Sequence, residues 1–410
     1  MSASRLIRRR MTMRVLRRGS LGAYIDRVAA YYIEHGYNRS YRSASLLSIG
    51  RFGRWLKRSR LKPCDVDERL IDRYLHRSSA PPHCSATPAL RYLLRVLRAT
   101  GGCPPPVLVA RRPDQVLEDD FKEHLVTERG LAVRTVEHYT EAAHAFLAAC
   151  PRKEGRVWSA LTAGDVLTFV RRRAETRIPG HMQQLCTGLR AFLRYLRFRG
   201  EIQSDLAASV PRIAHWRLAT LPKSLSSAQV QQVLAHCNRK TVVGRRDYAV
   251  LMLLARLGLR ASEIRCLTLD DIDWNNGQLT IRSKGSGPQA MPLPTDVGEA
   301  LAAYLADGRP AAKSRVVFVR LVAPHIPLAD GGTMATLTAR AMRRAGVDTP
   351  CKGAHVFRHT LATHMLRNGA SLREIGQVLR HRDEDTTRIY AKVDLTRLRT
   401  LALSWPGGAS

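Results

Sequence analysis

Six residues in the C-terminal third have the types and the order to work on a phosphodiester. The chain reads Gly-Leu-Arg260-Ala-Ser-Glu263, then Ser-Lys284-Gly, His355-Val-Phe-Arg358, Leu-Arg-His381 and, nine residues later, Ile-Tyr390. Arginines and histidines can hold a phosphate, a phenol can attack it, and a lysine can protonate the sugar oxygen that leaves. A phenol has a pKa of about 10, so it must shed its proton during attack. An alkoxide leaves poorly and needs a positioned proton donor. No carboxylate cluster is evident to hold Mg²⁺, so positive side chains must neutralise the charge themselves. Singly, these residues say little. His-x-x-Arg is usually a surface pair, Arg260 would cap a helix or bridge to Glu263, and Lys284 would be an ordinary turn lysine. His381 and Tyr390 would be partly buried packing residues. Their joint order and spacing carry the reading.

The elements that must position them are mixed. Arg246 to Leu257 is almost continuously apolar after its start and predicts a buried helix, with Gly258-Leu-Arg260 opening the next. Asn275-Asn276-Gly277 is a tight-turn signal. Gln278–Ser283 and Gln289–Leu293 flank Lys284-Gly-Ser-Gly and predict a β-hairpin with Lys284 at its tip. His355 and Arg358 stand three apart on a helix over 354–368 and share a side of it. That helix carries Phe357, Leu361 and Met365 on one stripe and ends at Gly369. Ser371-Leu-Arg-Glu374 is a capping box, with Leu372, Ile375, Val378 and Leu379 as the core face of the helix it opens.

Upstream, helical patterning dominates residues 20–100 and 116–208, separated by a Pro-rich stretch at 101–115 and followed by a second linker at 209–222. The two segments look like copies. Gly36 and Phe52 recur 94 residues on as Gly130 and Phe146. Arg91, Arg95, Arg98 and Gly101 recur 99 residues on as Arg190, Arg194, Arg197 and Gly200, the arginines lying on one helical face. Arg51, Arg54 and Arg58 make a similar stripe. These nine arginines are candidate DNA contacts of a duplicated helical clamp; the bland alternative is chance similarity among Arg-rich amphipathic helices. The fold expected is mainly α, with helical modules preceding a mixed α/β segment that holds a small sheet.

Composition points to the same partner. The chain has 410 residues, 67 Lys+Arg against 34 Asp+Glu, and a formal net charge of +33. Such an excess calls for a polyanion, most plausibly nucleic acid. Only 6% of residues are aromatic, which favours clamping a duplex by its phosphates over stacking single-stranded bases. The eight cysteines form no Cys-x-x-Cys pair, so a zinc ribbon is not expected and the thiols read as reduced and cytosolic. No apolar run approaches the roughly 20 residues of a membrane span. The basic stretch Arg5 to Arg18, within the N-terminal arm 1–19, leads into no apolar run and does not read as a signal peptide. It is either an arm touching DNA or a solvated tail.

On the six ordered residues, the chain resembles the tyrosine recombinase (phage integrase) family. The resemblance covers 223–395, the catalytic domain, and extends weakly to 116–208, the helical core-binding domain that usually precedes it. It implies that Arg260 and Arg358 clamp the scissile phosphate, since guanidinium forks match phosphate oxygens. It implies that His355 and His381 complete the cradle. Tyr390 is then the nucleophile that forms a 3′-phosphotyrosyl link, and Lys284 the general acid for the departing 5′-oxygen. The link conserves the energy of the broken bond, so neither a nucleotide cofactor nor a metal is expected. The implied partner is duplex DNA carrying specific sites, closed in a clamp and synapsed by a homotetramer, with related recombinases as further partners and a cytoplasmic, nucleoid-associated location. One departure stands out. The family commonly has Leu-Gly-His where this chain has Leu379-Arg380-His381, so Arg380 either adds a phosphate contact or reaches solvent. The extra N-terminal module and the ending look like recombinases of bacterial mobile elements. In the tail, 396–410, Leu398, Ala402 and Trp405 continue a stripe from Leu395, which packs either on its own domain or on a neighbouring protomer. The rivals are a type IB topoisomerase, which relaxes supercoils without synapsis, and a DNA-binding regulator without catalysis.

Overall fold

A computed structural model describes residues 16–17, 19–77, 86–105, 112–149, 158–176, 179–213, 223–283, 287–328, 331–349, 353–381, 383 and 385–391. Two groups of four helices follow one pattern. The first is α1 (Gly22–Glu34), α2 (Arg39–Arg58), α3 (Glu68–Arg77) and α4 (Ala86–Ala99). The second is α5 (Pro113–Thr127), α6 (Val133–Ala149), α7 (Ala163–Ala174) and α8 (Pro179–Phe198). In each group the second helix packs on the fourth. Phe52 and Phe146 are both fully buried there. Apolar residues three and four apart give each fourth helix its inner stripe: Leu90, Leu93, Leu94 and Leu97 in α4, Leu189, Phe192, Leu193 and Leu196 in α8. Each such side chain contributes roughly 1.5–3 kcal/mol of burial.

Gly36 and Gly130 separate the first two helices of each group at φ of 73° and 56°, a left-handed turn that glycine makes without strain. At Gly36 space is short as well, because a Cβ would stand 2.6 Å from the His325 ring. The chain divides into two compact units. The first module joins the mixed C-terminal segment in one, and the second module forms the other. Within the first unit Lys313 Nζ lies 2.6 Å from Glu34.

The mixed segment runs α9 (Ser227–Ala235), α10 (Val242–Arg256), α11 (Ala261–Cys266), β1 (Ile272–Asp273), β2 (Gln278–Arg282), β3 (Pro288–Pro292), α12 (Thr295–Asp307), α13 (Gly331–Arg344), α14 (His355–Arg367), α15 (Leu372–Leu379) and α16 (Asp385–Arg388). The buried helix expected from Arg246 begins earlier, at Val242, because Thr241 caps it: its hydroxyl accepts the Gly244 N–H at 3.1 Å. Val250, Leu251, Leu253 and Leu254 form its buried length. Asp247 is buried among them, held by Arg246 at 2.7 Å and Arg344 at 3.1 Å.

The sheet is antiparallel in the order β1-β2-β3, with Leu279 opposite Met291. β2 and β3 match the expected runs to within a residue. β1 was not legible, since two residues carry no periodicity. The capping box forms as expected: Ser371 Oγ accepts the Glu374 N–H at 3.2 Å, and Glu374 accepts the Ser371 N–H at 2.7 Å. One member of the expected core face departs. Ile375 and Leu379 are buried, but Val378 is 40% exposed. α15 is eight residues long and packs on α14 and α16, with Ile375 and Leu379 as its buried residues.

Arg17, from the basic N-terminal stretch, pairs with Asp26 at 2.7 Å. Residues 1–15 and the tail stripe of Leu395, Leu398, Ala402 and Trp405 lie outside the described residues. Among the described residues no helix is long and apolar enough to cross a membrane, and no His, Cys, Asp and Glu cluster could hold a metal ion.

Candidate active site

The site is built where the start of α14, the end of α15 and the entry to α11 meet. Arg358, in the first turn of α14, is 4% exposed. Its Nη1 donates to the Gly258 carbonyl at 2.6 Å, and its Nη2 to the Leu379 carbonyl. Gly258 permits this approach. It sits at φ 59°, and a Cβ there would stand 2.7 Å from Leu379 and 3.0 Å from Leu361. Arg260 is the N-cap of α11. Its backbone N–H donates to Glu263 at 2.8 Å, its Nη1 to the other carboxylate oxygen at 2.8 Å, and its Nη2 to the Arg380 carbonyl at 3.4 Å.

Tyr390 is 1% exposed and packs with Ala362, Leu366, Ile375 and Leu379. Burial pushes its pKa up to about 12, although Arg358 and Arg260 pull it back. The phenol therefore keeps its proton at neutral pH. That oxygen lies 2.9 Å from His359 Nδ1. Burial, then the neighbouring His355 and Arg358, lowers the pKa of His359. A neutral imidazole and a protonated phenol therefore share one hydrogen bond there. His381 lies parallel to the Tyr390 ring at 6.4 Å, and its Nδ1 is 2.7 Å from Thr387 Oγ1. Burial, then Arg358 and Arg260, pushes His381 down to about 4. His355 opens to solvent on one side while the protein mass around it and the charges of Arg358 and Arg260 lower its pKa. Arg260, His355, Arg358, His381 and Tyr390 thus come together in one pocket; Lys284 lies outside the described residues.

Two participants escaped the sequence reading. His359 bonds the phenol; its signal was its place four residues after His355, one helical turn along the same face. Glu263 was considered only as a bridge to Arg260, yet it is the hub of the pocket floor. The expectation for Arg380 needs correction. It neither reaches solvent nor points free toward a phosphate: its side chain is 7% exposed and lies 3.1 Å from Glu263. The reason is local, since the left-handed turn that ends α15 folds the side chain back over α11.

The nine stripe arginines divide. Arg51, Arg54 and Arg58 on α2, Arg91 and Arg95 on α4 and Arg194 on α8 are exposed. Arg98 instead forks onto Glu68 at 2.6 and 2.8 Å. Arg190 donates to the carbonyls of Pro211 and Val210 at 2.8 and 3.3 Å. Arg197 is exposed as well and stands 3.6 Å from Asp205.

Residues 223–397 match the model of the phage integrase family. The chain is 40% identical over 395 residues to y4rA of Sinorhizobium fredii, described as an integrase/recombinase, across 95% of this chain and 96% of that one. It is 31% identical to the tyrosine recombinase XerD of Listeria monocytogenes, across 69% of this chain and 96% of that one. The chain belongs to the tyrosine recombinase family. The recombinase shares its fold with XerH in a post-cleavage complex with a palindromic difH substrate, at a TM-score of 0.55 and 17% identity over 70% of this chain and 84% of that one. It also shares its fold with a lambda integrase tetramer on a Holliday junction, at a TM-score of 0.53 and 14% identity over 76% and 88%. As a tyrosine recombinase it is an enzyme of DNA strand exchange.

Proposed function

We propose that the recombinase exchanges strands at specific duplex sites through Tyr390, as a homotetramer in the synapse, on a bacterial mobile element. The observation that carries this is the convergence of two arginines and three neutral histidines on one buried phenol. Arg260 and Arg358 receive the scissile phosphate, and their charge meets the charge of the pentacoordinate transition state. The Tyr390 oxygen attacks phosphorus, and its proton has neutral imidazoles within reach. The bond from phosphorus to the 5′-oxygen breaks, and Lys284 supplies the proton that this oxygen needs. His355 and His381, both poor bases here, serve as hydrogen-bonding groups around the phosphate. Religation reverses each transfer on a new 5′-hydroxyl. Tetrameric assembly is supported by the lambda integrase neighbour, solved as a tetramer on a Holliday junction.

The exposed arginines of α2 and α4, with Arg194, are the proposed backbone contacts. The test is a nicked suicide substrate incubated with the unaltered protein and with Tyr390→Phe. The unaltered protein should form a covalent adduct, and the variant should bind equally well and form none. An adduct from the variant would falsify the assignment of the nucleophile.

A further inference from the structure

Arg380 occupies a position where an ordinary chain would place glycine. It caps α15 at φ 55°, ψ 49°, and its N–H reaches back to the carbonyls of Gln377 and Gly376. His381 N–H closes the same turn on Gly376 at 2.9 Å. This is the left-handed ending that most helices give to glycine, and a Cβ makes it costly. Only one other described non-glycine residue, Arg60, has a positive φ. Arg380 also carries a buried Nε without a hydrogen-bond partner. A residue held at such cost is expected to return something at the site.

What it returns lies in its contacts. Glu263 is 4% exposed, and its carboxylate accepts four hydrogen bonds. Two come from Arg260, through N–H and Nη1. One comes from Ser283 Oγ at 2.7 Å, at the end of the strand that leads to Lys284. The fourth comes from Arg380 Nη2 at 3.1 Å. Arg380 Nη1 meanwhile reaches Met291 Sδ on β3, the other strand of that hairpin, at 3.3 Å. The Arg380 carbonyl takes Arg260, and the adjoining Leu379 carbonyl takes Arg358. A single left-handed turn therefore touches the supports of both arginines, the Met291 side chain on β3, the carboxylate that also holds Ser283, and His381.

The charge balance matters as well. Paired with Glu263 alone, Arg260 would be neutralised before any phosphate arrived. With Arg380 on the same carboxylate, one acid is shared by two guanidiniums. Arg260 keeps an attraction for an incoming phosphate that a one-to-one pair would lack.

We propose that Arg380 is a positioning residue of this recombinase, which through Glu263 and Met291 locks Arg260 and the strands β2 and β3 into one register with His381. The inference rests on the reading of Tyr390, Arg260 and Lys284 given above. The substrate does not touch Arg380; its effect passes through Glu263, Ser283 and the turn.

Arg380→Gly and Arg380→Lys in the full chain test this on two nicked suicide substrates, one with the native 5′-oxygen and one with a 5′-bridging phosphorothiolate. Sulfur leaves without protonation, so the second substrate does not need Lys284. Arg380→Gly restores the easy backbone and removes the guanidinium. The eased backbone offsets part of the loss of a partner for buried Glu263, so its melting temperature should fall only slightly, while single-turnover cleavage of the native substrate falls roughly 10- to 100-fold, the scale of a small misplacement at a reacting centre. The deficit should shrink clearly on the phosphorothiolate. Arg380→Lys keeps a cation without the fork and should fall between. Wild-type cleavage by Arg380→Gly overturns the proposal. So do equal deficits on the two substrates, which remove the hairpin link. Loss of activity in step with loss of melting temperature in both variants reduces Arg380 to a packing role. Failure of the unaltered protein to form any adduct would instead overturn the nucleophile assignment, a separate outcome.

Discussion

Arg54 on the first helical module and Arg358 beneath Tyr390 carry the same guanidinium in opposite surroundings. Arg54 is exposed on α2, beside Arg51 and Arg58 on the same face. Arg358 is buried, fixed by two backbone carbonyls, and pushed down to about 10 by burial and by Arg260. It is still charged at neutral pH, but it has been stripped of water and aimed. An exposed charge is screened by salt within about 10 Å and can contribute to affinity. A preorganised charge in a dry site can lower a barrier. The helical modules differ from each other in the same sense. Residues 20–100 hold 15 Lys+Arg against 6 Asp+Glu, a net +9, whereas 116–208 hold 14 against 12, a net +2. The two modules share a helical pattern and a buried core but differ in charge, and on the proposed reading the first would be the stronger electrostatic partner for a polyanion.

The largest effect should come from the aimed charge. Arg260→Ala should slow single-turnover cleavage about 10²–10³-fold, the usual size for losing one transition-state donor, and leave DNA affinity almost unchanged. A large loss of affinity with a normal rate at saturation would erase the distinction between the two kinds of arginine. The surface charge should show the reverse. Replacing Arg51, Arg54 and Arg58 together by Ala should weaken binding and lower the slope of log affinity against log salt by about 2–3, since each phosphate contact contributes about 0.9. Cleavage at saturation should stay the same. An unchanged slope removes α2 from the DNA.

A smaller effect is expected with pH. His381 has a folded pKa of about 4 against an unfolded value near 6.5. Between those values the unfolded chain takes up a proton that the folded site refuses, so stability declines as pH falls through that window. The melting temperature should drop between pH 7 and pH 5, and His381→Gln should flatten the drop. An equal drop in the variant would assign it to other groups. The smallest effect belongs to Arg98. Its fork onto exposed Glu68 is worth about 0.2–1 kcal/mol, and Arg98→Ala should lower the melting temperature slightly without touching the salt slope. A clear change in slope would return Arg98 to the DNA-contacting set.

The gathering of Arg260, His355, Arg358, His381 and Tyr390 was legible in the sequence because these residues are spaced by the elements that carry them. The capping box at Ser371, the hairpin strands and the repeated apolar stripes of α4 and α8 are local signals that the fold obeys. What stayed hidden was decided by tertiary contact. Arg91 and Arg98 look equivalent on a helical wheel, yet only Arg98 meets a carboxylate from another helix. Val378 follows the core period but stays 40% exposed. Arg380 was read as a phosphate contact or a solvent-facing side chain, because no periodicity reports that a left-handed turn aims it at Glu263, 117 residues earlier.

The bond between Tyr390 and His359 bears on how such a protein treats DNA that it does not recombine. A strongly basic chain will visit far more random sequence than target. In a recombinase that attacks through Tyr390, a phosphate settling by chance over Arg260 and Arg358 meets an oxygen turned inward and already bonded to a histidine. With a pKa pushed up to about 12, that phenol holds its proton until a phosphate is seated firmly enough for attack and proton loss to occur together. In such a recombinase, a brief contact with random sequence would then leave the phosphodiester whole, because a protonated phenol is a poor nucleophile.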